Sequence, residues 1–69
     1  MWFYDYTVLL QLRQQQGRTR REVCREEKLD VTQYTLHQWE LGKIAPRADY
    51  LALLATVYGV KPQDFFKEK

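Results

Sequence analysis

The chain has little of what small proteins commonly use to reinforce their fold. Its 69 residues contain one cysteine, which cannot form an internal disulfide, and one histidine, so no His/Cys cluster could hold a structural metal. No apolar run approaches the roughly 20 residues that span a bilayer. The aromatic start lacks the basic region and apolar stretch of a signal peptide. We therefore expect a cytoplasmic protein, without a membrane span or a metal, that packing alone stabilises.

Residues for catalysis are also scarce. Cys24 and His37 are each the only residue of their type, and the chain has three glycines. The sequence shows no pairing of a nucleophile with a base, no set of metal ligands and no glycine-rich phosphate loop. We predict no enzymatic activity, no catalytic residue and no cofactor.

Hydrophobic residues make up 45% of the chain, which indicates a folded domain and not a disordered segment. Their spacing predicts one compact all-α domain over residues 1–69, with five helices and an aromatic N-terminal arm at residues 1–5. The predicted helices cover residues 5–16, 19–28, 32–42, 47–58 and 62–66, with Thr19 and Glu22 as a capping box and glycine after three of the helices. The positions predicted to be buried are Leu9, Leu12, Val23, Cys24, Leu36, Trp39, Leu51, Leu54, Ala55 and Tyr58.

The third predicted helix is the most informative segment. A helix this short must be held by packing, and Leu36 and Trp39 supply a buried face. The opposite face carries hydrogen-bonding side chains, namely Gln33, Tyr34, His37 and Gln38. Side chains of this kind can read base edges in a DNA groove. The alternative is a polar helix face without a ligand.

Arginines are concentrated in one part of the chain, although the formal net charge is only +2. Five lie within thirteen residues, interrupted by acidic residues: Arg13, Arg18, Arg20, Arg21 and Arg25. They form either a solvated charged surface or, if they converge in space, a rim that binds phosphate.

An ordered set of residues runs through nearly the whole chain. It comprises Leu12-Arg13, Gly17-x-Thr19-x-x-Glu22, Val31-Thr32-x-x-Thr35-Leu36, Trp39-Glu40-x-Gly42-Lys43-x-x-Pro46 and Leu51-x-x-Leu54-Ala55-x-x-Tyr58-x-Val60. Over about residues 8–66 this pattern resembles the phage repressor and Cro-type (XRE-like) helix-turn-helix family. The resemblance implies that the second helix crosses the DNA backbone and that the third lies in the major groove.

The resemblance also implies roles for individual residues. The base-reading positions would be Gln33, Tyr34 and Gln38, with Thr35 and His37 as secondary DNA contacts. Phosphate would be bound by Thr19, Arg20, Lys43 and Arg47. Arg13 and Glu40 match a structural pair that links the first helix to the end of the third, and Trp39 is expected to anchor that helix in the core.

Two features depart from the family pattern. The spacing from Thr19 to Trp39 is longer than usual by two residues, near residues 26–29, and it either lengthens the second helix or loosens the turn. Arg18 stands where the family usually has a buried aliphatic residue. We expect its alkyl stem to cover the core while its guanidinium reaches outward.

The function implied is a sequence-specific, double-stranded DNA-binding transcriptional regulator. It would be a small Cro-like or mobile-element repressor that acts as a homodimer on an operator. The alternative is an antitoxin or protein-interaction module of the same fold that binds a partner protein such as a toxin. The surplus apolar side chains either seal the core or form a dimer surface: Trp2, Phe3, Tyr4, Tyr6, Leu53 and Val57.

Overall fold

Four α-helices and a two-stranded antiparallel sheet make up residues 1–26 and 29–68, which the computed structural model describes. The helices are α1 (Tyr6–Gln15), α2 (Arg20–Cys24), α3 (Gln33–Leu41) and α4 (Ala48–Tyr58), and a 3-10 turn over Pro62–Phe65 follows. The strands are β1 (Trp2–Tyr4) and β2 (Phe66–Glu68). None of the helices in this described part is long and apolar enough to cross a membrane.

The prediction of an all-α domain with five helices is confirmed only in part. The fifth predicted helix is a single 3-10 turn, and the N-terminal arm is a strand that pairs with the residues after that turn. Phe65 is fully buried, and the rings of Tyr4 and Phe66 meet edge to face at a centroid distance of 6.3 Å. Aromatic side chains suit a half-buried pleated surface. Local periodicity could not show this sheet, because its strands lie at opposite ends of the sequence.

The predicted helix starts follow from capping side chains. Thr19 accepts a hydrogen bond from the Glu22 N–H at 3.1 Å, and Glu22 accepts one from the Thr19 N–H at 3.0 Å, which confirms the capping box. Asp5 caps α1 by accepting from the Thr7 N–H. The Thr7 hydroxyl also donates to this carboxylate and thereby lowers the pKa of Asp5.

Helix α2 is shorter than the sequence predicts. It ends at Cys24, and the Glu26 N–H donates to the carbonyl of Val23, three residues back, which tightens the last turn. Leu29 lies in the core, where it is 1% exposed. Glu27 and Lys28, on which the predicted end falls, lie outside the described residues.

The core is formed mainly by the residues that the periodicity selects. The stripe on α4 is buried as predicted, as are Leu9, Val23, Leu36 and Trp39. Leu12 and Cys24 are only partly buried and pack at its edge, together with Leu53 and Val57. Leu29 and Phe65 belong to the core as well. Both lie outside the regular helices, so helical spacing gives no signal for them.

The guanidinium of Arg18 does not reach outward as expected. Its Nη1 donates to the Val57 carbonyl at 3.0 Å, and Gln16 Nε2 donates to the Tyr58 carbonyl at 2.9 Å. These two side chains from the α1–α2 connection therefore satisfy the last carbonyls of α4. A cation at this helix end also interacts favourably with the helix dipole.

Candidate nucleic-acid interface

Helix α3 is divided into a buried face and an accessible face. Leu36, Trp39 and Glu40 are buried, whereas Gln33 is exposed and Tyr34 is 71% exposed. Gln38 is half-buried on the accessible side. Among the described residues, the side chains of Gln33, Tyr34 and Gln38 have no hydrogen-bond partner. All three can therefore still form polar contacts with a ligand.

Both ends of α3 are fixed by local hydrogen bonds. The Thr32 hydroxyl accepts from the Thr35 N–H at 3.1 Å and also bonds the Thr35 hydroxyl at 3.0 Å. At the other end, Gly42 has a φ of 77° and the Lys43 N–H donates to the Gln38 carbonyl at 3.1 Å. This geometry satisfies carbonyls at the helix end. The Thr35 side chain thus contributes to the cap as well as lying beside the accessible face.

A buried cluster of three charges joins α3 to the two preceding helices. Glu40, only 3% exposed, accepts from Arg13 Nε at 2.6 Å and from Arg13 Nη2 at 3.3 Å. Arg20 Nε donates to the same carboxylate at 2.8 Å. Arg13 Nη1 also donates to the Arg18 carbonyl at 3.0 Å. Because Arg13 lies on α1 and Arg20 on α2, Glu40 connects three helices through its two oxygens.

The contact of Arg20 with Glu40 is one that sequence reasoning missed. The resemblance places Arg20 at the start of the second helix and implies only a phosphate-binding role for it. In the structure its Nε is used by Glu40, while the side chain remains 36% exposed. The accessible part of the guanidinium can still meet a phosphate. Arg20 is therefore in a position to link the DNA backbone to the buried end of α3.

The capping box at the start of α2 changes the pKa of one of its own residues. The Glu22 carboxylate accepts from the Thr19 N–H, and this backbone hydrogen bond lowers the pKa of Glu22. A phosphate contact by Thr19 would use its hydroxyl as donor, since phosphate oxygens only accept, while the Thr19 oxygen accepts from the Glu22 N–H.

The two predicted phosphate ligands after α3 are both exposed. Lys43 lies in the loop, and Arg47 occupies the N-cap position of α4 without a capping hydrogen bond from its side chain. Arg47 lies over the Tyr50 ring at 5.3 Å from its centroid, and Tyr50 packs against Trp39 with a centroid distance of 5.3 Å. The guanidinium also pairs with Asp49 at 3.3 Å. Arg47 is thus connected to α3 through aromatic packing, a link without a signal in the sequence pattern.

His37 is half-buried on α3, between the accessible and buried faces. Its Nδ1 is shielded from solvent and has no hydrogen-bond partner within residues 1–26 and 29–68. Nε2 is therefore the ring nitrogen that can contact a ligand.

The cluster of five arginines does not form one outward rim. Arg13, Arg18 and Arg20 all donate to groups within the protein. Arg21 and Arg25 are exposed, and in the described part of the chain neither forms an ion pair. Much of this positive charge is therefore used to hold helices together.

Comparisons with known proteins agree with this geometry. A family model described as Helix-turn-helix matches residues 9–65. Comparison with curated proteins and comparison with solved structures each gave no match. The matched residues span the capping box of α2, the connection and all of α3, together with the helices that support them. The chain belongs to the helix-turn-helix family of DNA-binding regulators of the Cro/C1 (XRE) type.

Proposed function

We propose that the protein is a sequence-specific repressor that binds a double-stranded DNA operator as a homodimer. The observation that carries the proposal is the divided face of α3. Leu36, Trp39 and Glu40 hold the helix in place, while Gln33, Tyr34 and Gln38 keep accessible polar groups that bond to no other side chain or backbone group in the described part of the protein. A rigid helix with unpaired hydrogen-bonding groups fits the floor of a major groove.

Sequence reading would come from three side chains. Gln33 and Gln38 can each pair bidentately with N6 and N7 of adenine. Tyr34 can place its exposed ring against a thymine methyl group or donate to a phosphate. Thr35 and His37, which lie at the edges of this face, would add secondary contacts.

Affinity would come mainly from the DNA backbone. Arg20 and Thr19 lie at the start of α2, and Lys43 and Arg47 lie between α3 and α4. These groups flank α3 along the chain on both sides, which supports a role in fixing its register on the duplex. Two such domains on paired half-sites would cover one stretch of DNA and exclude other proteins from it.

Replacing Gln33 by alanine tests base reading. Selection on random duplexes first identifies the preferred site. Binding is then measured on that site and on an unrelated duplex. We expect Gln33→Ala to weaken the selected complex by about 1–3 kcal/mol and to leave non-specific binding almost unchanged.

The matched control is Gln63→Ala, which removes an exposed glutamine from the 3-10 turn. It should leave both affinities unchanged. Equal losses by Gln33→Ala on the two duplexes would remove Gln33 from base reading. If selection enriches no site, the proposed sequence-specific function is wrong.

Replacing Arg20 by alanine tests phosphate binding. Each phosphate contact releases about one counterion, so we expect the log–log salt dependence of DNA binding to become shallower by about one unit. Lys61→Ala removes the same charge from an exposed position before the 3-10 turn and should leave the slope unchanged. An unchanged slope for Arg20→Ala, with the helical circular dichroism of the protein also unchanged, would assign Arg20 to Glu40 alone.

A further inference from the structure

Strand β1 presents an apolar edge that the described part of the fold leaves uncovered. Trp2 is 65% exposed and Phe3 is 43% exposed, although Tyr4 packs towards the core. An exposed aromatic edge strand without charged residues is a ready template for pairing with another strand. The sheet has only two strands of three residues each, and sheets this small are marginal without further strands.

The ladder register shows which backbone groups this edge offers. Phe3 lies opposite Lys67, and the Asp5 N–H donates to the Phe65 carbonyl at 2.8 Å. Hydrogen-bonded pairs alternate along an antiparallel ladder. Phe3 therefore bonds β2, while the N–H and C=O groups of Trp2 and Tyr4 point to the outer edge. No hydrogen bond within residues 1–26 and 29–68 uses them.

We propose that β1 pairs antiparallel with β1 of a second copy of this chain, which joins two sheets into one of four strands. This strand pairing would be the interface of the homodimer, and it therefore rests on the proposed function. Its two-fold axis passes beside Phe3, so that each Phe3 lies opposite Phe3 of the other copy and each Trp2 lies opposite Tyr4. Aromatic cross-strand pairs stabilise a sheet.

The charges on the two edges of the sheet favour self-pairing through β1 over self-pairing through β2. The β2 edge carries Lys67 and Glu68, and self-pairing about Lys67 would bring two ammonium groups directly opposite each other. Like charges in that position are destabilising, and charged side chains commonly protect edge strands. The β1 edge has no charge from Trp2 to Tyr4.

The symmetry of the pairing favours a second copy of this chain as the strand that binds the β1 edge. In an antiparallel pair of identical strands, the outward N–H and C=O groups of Trp2 in one copy bond to those of Tyr4 in the other. The two-fold axis repeats these bonds, so the outward groups of both copies are satisfied. The aromatic side chains of one copy likewise meet aromatic side chains of the other. A second copy therefore supplies every group that this edge requires.

A cysteine cross-link tests the register directly. In the pairing about Phe3, the two Phe3 residues form a non-hydrogen-bonded pair with a Cα separation of about 4.5 Å, which suits a disulfide. In a Cys24→Ala background, Phe3→Cys should form a covalent dimer under mild oxidation at micromolar concentration and without DNA. Trp2→Cys is the matched control, because the two Trp2 positions lie diagonally, about 8 Å apart or more, beyond disulfide range.

Efficient cross-linking at position 3 and weak cross-linking at position 2 supports the pairing. A dimer that cross-links at neither position, or at position 2 in preference to position 3, overturns it. Circular dichroism of each reduced variant establishes that the helices are intact. A monomer at all concentrations that bind DNA also overturns it.

A charge placed on the edge gives the second test. Phe3→Lys should weaken self-association about tenfold or more, towards the 8.4 kDa monomer in sedimentation equilibrium. Ile44→Lys adds the same charge at another exposed apolar position, in the loop after α3, and should leave the dimer unchanged. Loss of the dimer only with Ile44→Lys would place the interface elsewhere and overturn the proposal.

DNA binding separates this proposal from the function on which it rests. Phe3→Lys should keep its affinity for a single half-site and lose cooperative binding to the paired site. If Phe3 cross-links but no site is selected from random duplexes, the strand pairing stands and the repressor proposal fails. If a site is selected but Phe3 does not cross-link, the repressor stands and the strand pairing fails.

Discussion

Glu40→Ala is expected to lower the free energy of unfolding by about 3–5 kcal/mol, because it leaves a buried positive charge without a partner. The Arg13 side chain is 12% exposed and loses both of its bonds to Glu40, keeping only its contact with the Arg18 carbonyl. Arg20 is more exposed, so water can hydrate its guanidinium after Glu40 is removed. A small domain has a total stability of only about 5–15 kcal/mol, so this loss would remove a large fraction of it.

Urea denaturation followed by circular dichroism measures this loss, and a double variant identifies its cause. Replacing Arg13 and Glu40 together by methionine removes the uncompensated charge and fills the site with apolar volume, so most of the stability should return. Arg20→Ala should cost less than Glu40→Ala because Arg20 is the more exposed partner. A loss below about 1 kcal/mol for Glu40→Ala would mean that the cluster contributes as little as a surface ion pair.

The same cluster has a functional consequence. Glu40 is buried near the end of α3, the helix that carries Gln33 and Gln38, and its partners come from α1 and α2. A contact between Arg20 and phosphate would therefore act on the helix that carries Gln33. Destabilised Glu40 variants should lose discrimination between DNA sites before they lose non-specific binding, since specificity needs a fixed orientation of α3.

Much of the fold could be predicted because its signals are local. Thr19 with Glu22 and Thr32 before α3 are capping side chains, and each starts a helix where the sequence places it. The spacing of Leu51, Leu54 and Tyr58 selects one face of α4, and all three are buried. These features depend on neighbours within about a turn of helix.

Features that depend on distant residues could not be predicted in the same way. The pairing of Trp2 with Glu68 joins the two ends of the sequence. Leu29 and Phe65 are buried through the path of the connections, where no periodicity applies.

The candidate site shows a similar division. The polar face of α3 follows from helical spacing, and the structure leaves Gln33, Tyr34 and Gln38 accessible. The contact of a second arginine, Arg20, with Glu40 and the packing of Arg47 on Tyr50 depend on how helices meet, so neither has a sequence signal. The roles of these residues at DNA remain predictions that binding measurements decide.

Gly42→Ala is the second substitution expected to have a large effect. Gly42 ends α3 with a φ of 77°, a conformation that costs other residues about 1–2 kcal/mol. A Cβ there would also lie 2.5 Å from Cδ1 and 2.8 Å from Cγ of Tyr6. These atoms are close to the root of the side chain, so the ring or α1 itself must shift. Overpacking of this kind adds about 1–3 kcal/mol, for a total of roughly 2–5 kcal/mol.

Gly59 provides a matched control for the conformational part. It ends α4 with a φ of 73°, and an added Cβ would meet nothing within 4 Å. Gly59→Ala should therefore show only the left-handed strain, and the difference between the two variants in urea denaturation measures the contact with Tyr6. In a Tyr6→Ala background, Gly42→Ala should cost only as much stability as Gly59→Ala does. Equal losses at Gly42 and Gly59 would mean that Tyr6 moves aside without cost, in which case the end of α3 is not held against α1 at this point.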